Sequence, residues 1–332
     1  MDCIRTKYVG RVIISLMLFA LVLGYNYSTE PETGVLPSPL PSLDKVRFKD
    51  SAKHIPVAIR NGSIFVKARF NNQMIEGMLD TGCNELVWPD HLLIKGRQTK
   101  FSTTINDTNN VYQLARETVI GNITIGGYTV ENFPTYEIIE TGVHQDGTAQ
   151  QNLIIGNSFF LNSALTIDYH KSTILVRPSG VRIEDSNSNS TQYKTRFEWL
   201  PDARSQRVGV PAIRGRVNGK SALIEIDTGW NEKNVAVSNH LWDTIPVFKS
   251  SSTKIVKLKA ALSTVGVQHV SKAKIQIPVH VGRNEVFVTI ITPAVKSNSA
   301  TKGADAVIGS AFLENFRVTI DYPRQEIFLE PN

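Results

Sequence analysis

Two aspartates begin the same short motif, 147 residues apart. Asp80 begins DTGCNE and Asp227 begins DTGWNE, and an apolar run precedes each of them, GML in the first copy and IEI in the second. Hydrolysis without a metal or a covalent intermediate needs one carboxylate that takes a proton from water and a second acid that donates a hydrogen bond to the carbonyl. If the fold brings the two aspartates together, they supply the groups for such a reaction.

The two motifs belong to a longer internal repeat. The stretch IIGNSFFLNSALTIDY around Gly156 aligns without gaps with VIGSAFLENFRVTIDY around Gly309. Gly156 follows Asp80 by 76 residues, and Gly309 follows Asp227 by 82. The same order at such similar spacing indicates an internal duplication.

Within each copy the residue pattern is typical of strands. SIFVKARF and KAKIQIPVHV are rich in β-branched and apolar residues in alternation, and Gly, Asn and Pro bound such runs. TIDYHKSTILV and TIDYPRQEIFL predict hairpins, and we expect only short helices, after Gly156 and Gly309. The sequence therefore predicts an all-β protein with two homologous domains, 53–182 and 195–332, and a Ser- and Asn-rich linker, 183–194.

The paired motifs resemble those of the aspartic proteases. In that family an Asp-Thr-Gly triplet follows an apolar strand, and a hydrophobic-Ile-Gly sequence comes later, as LIIG and AVIG do here. The resemblance covers both domains and implies two closed-barrel, retropepsin-like lobes in a pepsin-like arrangement, with a cleft between them. It implies an aspartic endopeptidase with Asp80 and Asp227 as its catalytic pair. Two carboxylates about 3 Å apart share one proton, and the residue types do not show which is the base.

The resemblance also implies which residues support the catalytic pair. The threonines of the two triplets would bridge the loops, and the glycines of the triplets would let the backbone approach closely. The two downstream glycines match family glycines where a side chain would strike the aspartate loop. The supporting residues are Thr81, Gly82, Thr228, Gly229, Gly156 and Gly309.

The residue after each triplet departs from the family pattern of Ala, Ser or Thr. Cys83 is small, and its thiol could donate a hydrogen bond as a serine would. Trp230 is large, and its indole either fills space beneath the loop or narrows a substrate pocket. Both residues are candidates for the substrate cleft. Trp230 also motivates an alternative function, a catalytically inactive two-lobed module that binds peptides in the same cleft.

Hairpins that close over the cleft are expected between each triplet and the next strong strand. In the first domain this predicts the turn INDTNN, 105–110, with Tyr112 as the aromatic residue that would face substrate. In the second domain it predicts ALSTVG, 261–266.

The remaining acids and the free thiol have plainer interpretations. Asp168 and Asp321 stand at hairpin entrances, where aspartate commonly caps a turn, so we expect a structural role. Glu85 and Glu232 are expected to be exposed charges where the chain leaves the aspartate loops. A nucleophilic Cys83 is disfavoured because no histidine is marked by a motif as its partner.

The N-terminus predicts export. Residues 1–25 combine a basic start with the uncharged run VIISLMLFALVLGY, which is typical of a signal anchor or a signal peptide. The anchor is favoured because no clear cleavage site follows. The Pro-containing stretch 26–52 is expected to be a stalk or a pro-segment. Basic residues before the apolar run and acidic residues after it place the bulk of the chain outside the cytoplasm, either anchored by a single pass or secreted, including to a periplasm.

Charge and composition narrow the partners. The net charge is +6, and one segment without Asp or Glu carries six lysines, Lys249, Lys254, Lys257, Lys259, Lys272 and Lys274. Such a run is typical of a solvated hairpin face, although it could also favour acidic peptides or an anionic surface. Nucleic acid is disfavoured because aromatic residues do not interleave with the lysines. The histidines lack metal-ligand spacing, so neither a metal nor another cofactor is expected. The expected partners are a peptide or protein substrate and the membrane. We expect a monomer whose lobes pair with each other, with pairing between chains as the weaker alternative.

Overall fold

The computed structural model describes most of the chain after residue 37. The described residues are 38–49, 53–89, 92–106, 112–140, 153–181, 192–201, 209–249, 253–254, 258–260, 263–265, 268–297 and 303–332. The predicted membrane segment 1–25 lies outside them, as do most of the predicted linker and residues 107–110 of the first predicted flap turn. Within these ranges, no helix is long and apolar enough to span a bilayer.

Strands dominate the structure, as predicted. The N-terminal half contains β1 (Val46–Phe48), β2 (Ile55–Pro56), β3 (Ala58–Arg60), β4 (Ser63–Phe70), β5 (Gln73–Leu79), β6 (Val87–Pro89), β7 (Arg97–Asn106), β8 (Tyr112–Ile125), β9 (Tyr128–Glu140), β10 (Leu153–Ile155), β11 (Ala164–Asp168) and β12 (Thr173–Arg177). The C-terminal half contains β13 (Tyr193–Arg196), β14 (Glu198–Leu200), β15 (Val210–Val217), β16 (Lys220–Ile226), β17 (Val235–Ser238), β18 (Thr253–Lys254), β19 (Leu258–Ala260), β20 (Ser263–Val265), β21 (Gln268–Val281), β22 (Asn284–Ser297), β23 (Ala306–Ile308), β24 (Phe316–Asp321) and β25 (Glu326–Pro331).

Helices are few and short in the described residues. The two predicted after the repeated glycines are present, as a 3-10 turn and a single α-helical turn. The helical segments are the 3-10 turns Leu43–Lys45 and Asn157–Phe160 and the α-helices Asn239–Thr244, Pro246–Lys249 and Ser310–Leu313.

Each half of the chain closes a six-stranded barrel, which confirms the predicted pair of closed barrels. In the first barrel the strands follow the order β4, β5, β10, β6, β9, β8, and β8 pairs back to β4. In the second the order is β15, β16, β23, β17, β22, β21, and β21 pairs back to β15. The two orders correspond strand for strand, so the repeat in the sequence is a repeat in the fold. Closure leaves neither barrel with an open edge.

Equivalent hairpin turns show why the repeated segments fold alike. Asn71 and Asn218 both adopt left-handed backbone, with φ of 51° and 48°, which asparagine tolerates better than most residues. The Asn71 side-chain oxygen accepts a hydrogen bond from the Asn122 amide at 3.0 Å, and the Asn218 oxygen accepts one from the Lys274 amide at 2.7 Å. Each asparagine therefore fixes its turn and ties that turn to the neighbouring long strand.

A central antiparallel sheet joins the barrels into a single compact unit, Pro37–Asn332. Its strand order is β13, β25, β24, β11, β12, β2, so both halves of the chain contribute. At its middle Thr166 pairs with Thr319, and their hydroxyls are 2.8 Å apart. These threonines occupy equivalent positions 153 residues apart in the aligned repeat. The pseudo-two-fold axis of the duplication therefore passes between them.

The described ends of two predicted connecting segments also belong to the sheets. Val46–Phe48, within the predicted stalk, pairs with Tyr128–Val130 of β9. Tyr193 and Lys194, at the end of the predicted linker, pair with β25. Of the predicted flap turn 105–110, Ile105 and Asn106 belong to β7 and pair with Gln113 and Tyr112 of β8, whereas 107–110 lie outside the described residues. The side chain of Tyr112 lies outside the described part of the structure. In the second predicted flap turn the described residues 263–265 form β20.

The buried threonine pair on the axis provides a test of the central sheet. Thr319→Val leaves the Thr166 hydroxyl without its partner, so the free energy of unfolding should fall by about 1–3 kcal/mol. In Thr166→Val/Thr319→Val both hydroxyls are gone, so the double variant should lose less than the sum of the two single losses. Chemical denaturation of the four proteins gives the coupling energy, and strictly additive losses would contradict the pairing.

Candidate active site

The two aspartates stand at equivalent strand ends. Asp80 follows the last residue of β5, and its amide donates to the Ile155 carbonyl at 3.1 Å. Asp227 follows the last residue of β16, and its amide donates to the Ile308 carbonyl at 3.0 Å. In each barrel this bond extends the parallel pairing of the two strands by one residue. The fold therefore presents both carboxyl groups from strand ends rather than from free loops.

The triplet threonines lock the two loops together. The Thr81 amide donates to the Thr228 hydroxyl at 3.0 Å, and the Thr228 amide donates to the Thr81 hydroxyl at 3.0 Å. Each hydroxyl donates in turn across the interface, Thr81 to the Ile226 carbonyl at 2.7 Å and Thr228 to the Leu79 carbonyl at 3.0 Å. Both threonines are buried. The bridging that the resemblance implies is therefore present as four reciprocal hydrogen bonds.

The triplet glycines face the carboxyl group of the opposite half. A Cβ placed on Gly82 would lie 2.6 Å from each carboxyl oxygen of Asp227. A Cβ on Gly229 would lie 2.5 and 2.6 Å from the carboxyl oxygens of Asp80. Any side chain at either position would push the two aspartates apart, so glycine is required here for close approach.

The two downstream glycines lie against the backbone that follows each triplet. A Cβ on Gly156 would meet the Cys83 carbonyl oxygen at 2.5 Å and the Glu85 amide nitrogen at 2.8 Å. A Cβ on Gly309 would overlap the backbone carbonyl of Trp230. Both glycines therefore occupy the places that the resemblance implies, beneath the aspartate loops.

The carboxyl groups of Asp80 and Asp227 are partly buried and lie close together, each against the triplet glycine of the other half. Burial raises the pKa of Asp80 well above its ordinary value, and the charge of the neighbouring Asp227 raises that pKa further. Burial also raises the pKa of Asp227, but the neighbouring Asp80 carboxyl group and the backbone amides of Gly229, Trp230 and Gly82 oppose the rise. The pair therefore titrates as a unit that holds one proton.

Backbone donors make the two halves of the pair unequal. One carboxyl oxygen of Asp227 accepts hydrogen bonds from the Gly229 amide at 2.7 Å and the Trp230 amide at 3.0 Å. Among the described residues, the Asp80 carboxyl accepts from one backbone amide, that of Gly82 at 2.9 Å. Hydrogen bonds to a carboxylate favour its charged form. The arrangement thus favours the proton on Asp80 and the charge on Asp227.

The Trp230 indole is packed beneath its own loop. The side chain is only 6% exposed, and its Nε1–H donates to the Asn234 carbonyl at 2.9 Å. The backbone amide of Trp230 serves the Asp227 carboxyl group, a role that does not depend on the side chain. Of the two placements open from the sequence, the structure shows the indole filling space below the loop.

Cys83 occupies the equivalent position in the first half. Its thiol is partly buried and donates to the Glu85 carbonyl at 3.3 Å. Burial raises the pKa of the thiol well above its ordinary value, and the charge of Asp80 adds to the rise. A thiol held in its protonated form is a poor nucleophile, so Cys83 acts as a small hydrogen-bond donor in the loop.

The other acids are placed partly as predicted. Asp168 accepts a hydrogen bond from the Lys171 amide at 2.8 Å, and Asp321 accepts one from the Arg324 amide at 3.4 Å, so both cap their hairpin turns. The prediction for Glu85 is wrong, because Glu85 is only 7% exposed. The chain after the first triplet packs against Gly156 in the barrel wall instead of running along the surface. Glu232 is half-buried.

Sequence reasoning missed one acid that acts on the pair. Glu225 lies two residues before Asp227 on β16, is buried, and its charge raises the pKa of Asp80. The signal was present in the motif, since IEIDTG places a glutamate in the strand where the first copy, GMLDTG, has Met78. Among the described residues, no group of three or more His, Cys, Asp and Glu side chains is placed to hold a metal ion.

Comparison of the chain with known protein families gives no match, and comparison with curated proteins gives none.

The threonine lock should contribute strongly to stability. Thr228→Val keeps the side-chain shape but removes the bonds to the Leu79 carbonyl and the Thr81 amide, which costs about 1–3 kcal/mol for each buried group left unpaired. Thr228→Ser keeps both bonds and should cost much less. Urea denaturation compares the two variants, and equal losses would show that the hydroxyl is not what matters.

The pair of aspartates should also make stability depend on pH. The folded-state pKa of Asp80 lies above the unfolded value of about 3.9, so its contribution to stability is present below that pH and is lost as the pH rises through the folded pKa. Relative to Asp80→Asn, the wild type should lose up to about 1.4 kcal/mol per pH unit above about pH 4. Denaturation curves over this range measure the slope. The exposed Asp243→Asn serves as control and should keep the wild-type slope, whereas an unchanged slope in Asp80→Asn would contradict the raised pKa.

Proposed function

We propose that this protein is an aspartic-type endopeptidase built from two aspartic-protease lobes, with substrate bound in a cleft between them. One observation carries the proposal: the partly buried carboxyl groups of Asp80 and Asp227 lie close together, each against the triplet glycine of the opposite half. They do so in loops that the triplet threonines join by four reciprocal bonds. Structural carboxylates are not usually placed side by side in a buried site, since each raises the cost of ionising the other. A shared proton, however, is what acid–base hydrolysis requires.

The roles follow from the unequal hydrogen bonding of the pair. The Asp227 carboxylate takes a proton from water while the water oxygen attacks the peptide carbonyl carbon, and the Asp80 proton passes to the carbonyl oxygen. In the neutral diol that results, the C–N bond then breaks. Asp227 gives its proton to the leaving nitrogen, and one diol hydroxyl returns a proton to Asp80. The pair ends in its starting state, so the cycle needs no metal or other cofactor.

The buried Trp230 supports catalysis over the inactive peptide-binding module. An indole that separated the carboxyl groups or covered them would favour the module. Here the indole lies below the loop, and its N–H is bonded to the Asn234 carbonyl. The departure from the family pattern therefore leaves the close approach of Asp80 and Asp227 intact.

The site of action follows from the sequence. We propose that the lobes act outside the cytoplasm, held at the membrane by residues 1–25 or released from them. Peptides and proteins that share that compartment are then the substrates. The triplets of one chain meet each other, so a monomer supplies the complete pair.

Cleavage of mixed peptides by the full-length chain in detergent tests the proposal. We expect turnover that depends on acidic pH, and a fall of about 10²- to 10⁴-fold in Asp80→Asn and in Asp227→Asn. Asp243→Asn makes the same chemical change at an exposed position and should retain the wild-type rate. Product analysis by mass spectrometry gives the rates and the bonds cleaved.

Two outcomes would overturn the assignment. Cleavage that survives both active-site substitutions would show that another group performs the chemistry. Tight peptide binding without turnover from acidic to neutral pH, measured by fluorescence anisotropy on the same peptides, would support the inactive module instead.

A further inference from the structure

The aligned repeat identifies two pairs of equivalent residues beneath the aspartate loops. Asn157 follows the glycine of the first copy as Ser310 follows that of the second, and Tyr169 and Tyr322 end the two Ile-Asp-Tyr sequences. The two tyrosines are the same residue type, whereas Asn157 and Ser310 differ. The difference lies close to the candidate active site, because both glycines pack against the aspartate loops.

Near Asp80, Tyr322 and Asn157 form a continuous chain of buried hydrogen bonds that ends at Thr81. We call this chain the relay. The Tyr322 hydroxyl donates to the Asn157 side-chain oxygen at 3.0 Å, and the Asn157 side-chain nitrogen donates to the Thr81 carbonyl at 2.6 Å. All three residues are buried. Tyr322 belongs to the C-terminal half and Thr81 to the N-terminal half, so the relay crosses between the halves.

The backbone strengthens this support. The Asn157 amide donates to the Cys83 carbonyl at 2.9 Å, and the Ser158 amide donates to the Asn84 carbonyl at 2.8 Å. With the side-chain bond to Thr81, the turn after Gly156 therefore holds three carbonyls of the loop that carries Asp80.

Under Asp227, the corresponding relay is absent from the described residues. The side chain of Ser310 is shorter than asparagine, and the Tyr169 hydroxyl, on a residue only 8% exposed, has no hydrogen-bond partner. The bond from this turn to the loop is the one from the Ser310 amide to the Trp230 carbonyl at 3.1 Å. The second loop is instead held by the indole bond of Trp230 to Asn234.

We propose that Asn157 and Tyr322 are positioning residues for Asp80, and that the equivalent Tyr169 has no such role for Asp227. The inference rests on the proposed function. Thr81 lies between Asp80 and Gly82 in the chain, and Gly82 both donates to Asp80 and packs on the Asp227 carboxyl group. Movement of the Thr81 backbone therefore changes the separation of the two carboxyl groups, on which their shared proton depends.

The two tyrosines provide a matched pair of variants in the full-length chain. Tyr322→Phe removes the donor to Asn157 and leaves a buried amide oxygen unpaired, so the Asp80 loop loosens. We expect kcat to fall about ten- to hundredfold and the pH profile of kcat/KM to shift. Tyr169→Phe removes a hydroxyl that has no partner and should leave kcat, KM and the pH profile unchanged. Equal effects of the two variants, or none from Tyr322→Phe, would overturn the proposal.

Asn157→Ser makes the first turn resemble the second and supplies an independent readout. Hydrogen exchange followed by mass spectrometry should show faster exchange of the peptide containing residues 80–84 in Asn157→Ser and Tyr322→Phe, but not in Tyr169→Phe. The pH dependence of stability should change in the same two variants. These measurements do not require turnover. If the wild type cleaves nothing, the proposed function is refuted, but hydrogen exchange and stability still test the relay. Unchanged exchange in all three variants would refute the relay.

Discussion

The structure depends on keeping two partly buried carboxyl groups close together. Burial and mutual repulsion both oppose ionisation of Asp80 and Asp227, so left unconstrained the loops would separate or take up water. Three features prevent this: reciprocal bonds between Thr81 and Thr228, glycines that leave no side chain between the groups, and strand ends that fix each aspartate in its barrel. Each feature acts between the halves or recurs in both. A single copy of the repeat could not build the site.

The central sheet imposes the symmetry that the site needs. The register of β11 with β24 maps onto itself when the halves are exchanged, with Thr166 and Thr319 at its centre. Two barrels attached to the ends of such a sheet must present equivalent strand ends to each other across the same axis. Asp80 and Asp227 meet for this reason, although they are 147 residues apart in the chain. The pairing of β11 with β24 and the hydrogen bonds between Thr81 and Thr228 are therefore related by the same pseudo-two-fold axis.

Sequence patterns were sufficient for the barrels and the pair because both rest on repeated, local signals. The alternating strand patterns, the triplets and the downstream glycines can each be recognised within a few residues. Because each occurs in both copies, the prediction from it is stronger. What escaped prediction depends on contacts between distant segments. The burial of Glu85 depends on Gly156, which lies 71 residues further along the chain, and the bond from Tyr322 to Asn157 joins opposite halves. No local pattern carries that information. The sequence left the placement of Trp230 open, because an indole can fill space beneath the loop or narrow a substrate pocket. The partner of its N–H decides between the two.

The duplicated halves hold the same geometry by different means. The first loop is held by the Asn157 side-chain amide, which donates to the Thr81 carbonyl. The second is held by the Trp230 indole, which donates to the Asn234 carbonyl. Both devices use one buried N–H to fix one loop, so a change at the turn, Asn157 against Ser310, is matched by a change after the triplet, Cys83 against Trp230. At Trp230 the backbone amide, not the side chain, faces the carboxyl group, so the indole can be placed elsewhere. The large side chain at that position is then part of the support of Asp227 and does not separate it from Asp80.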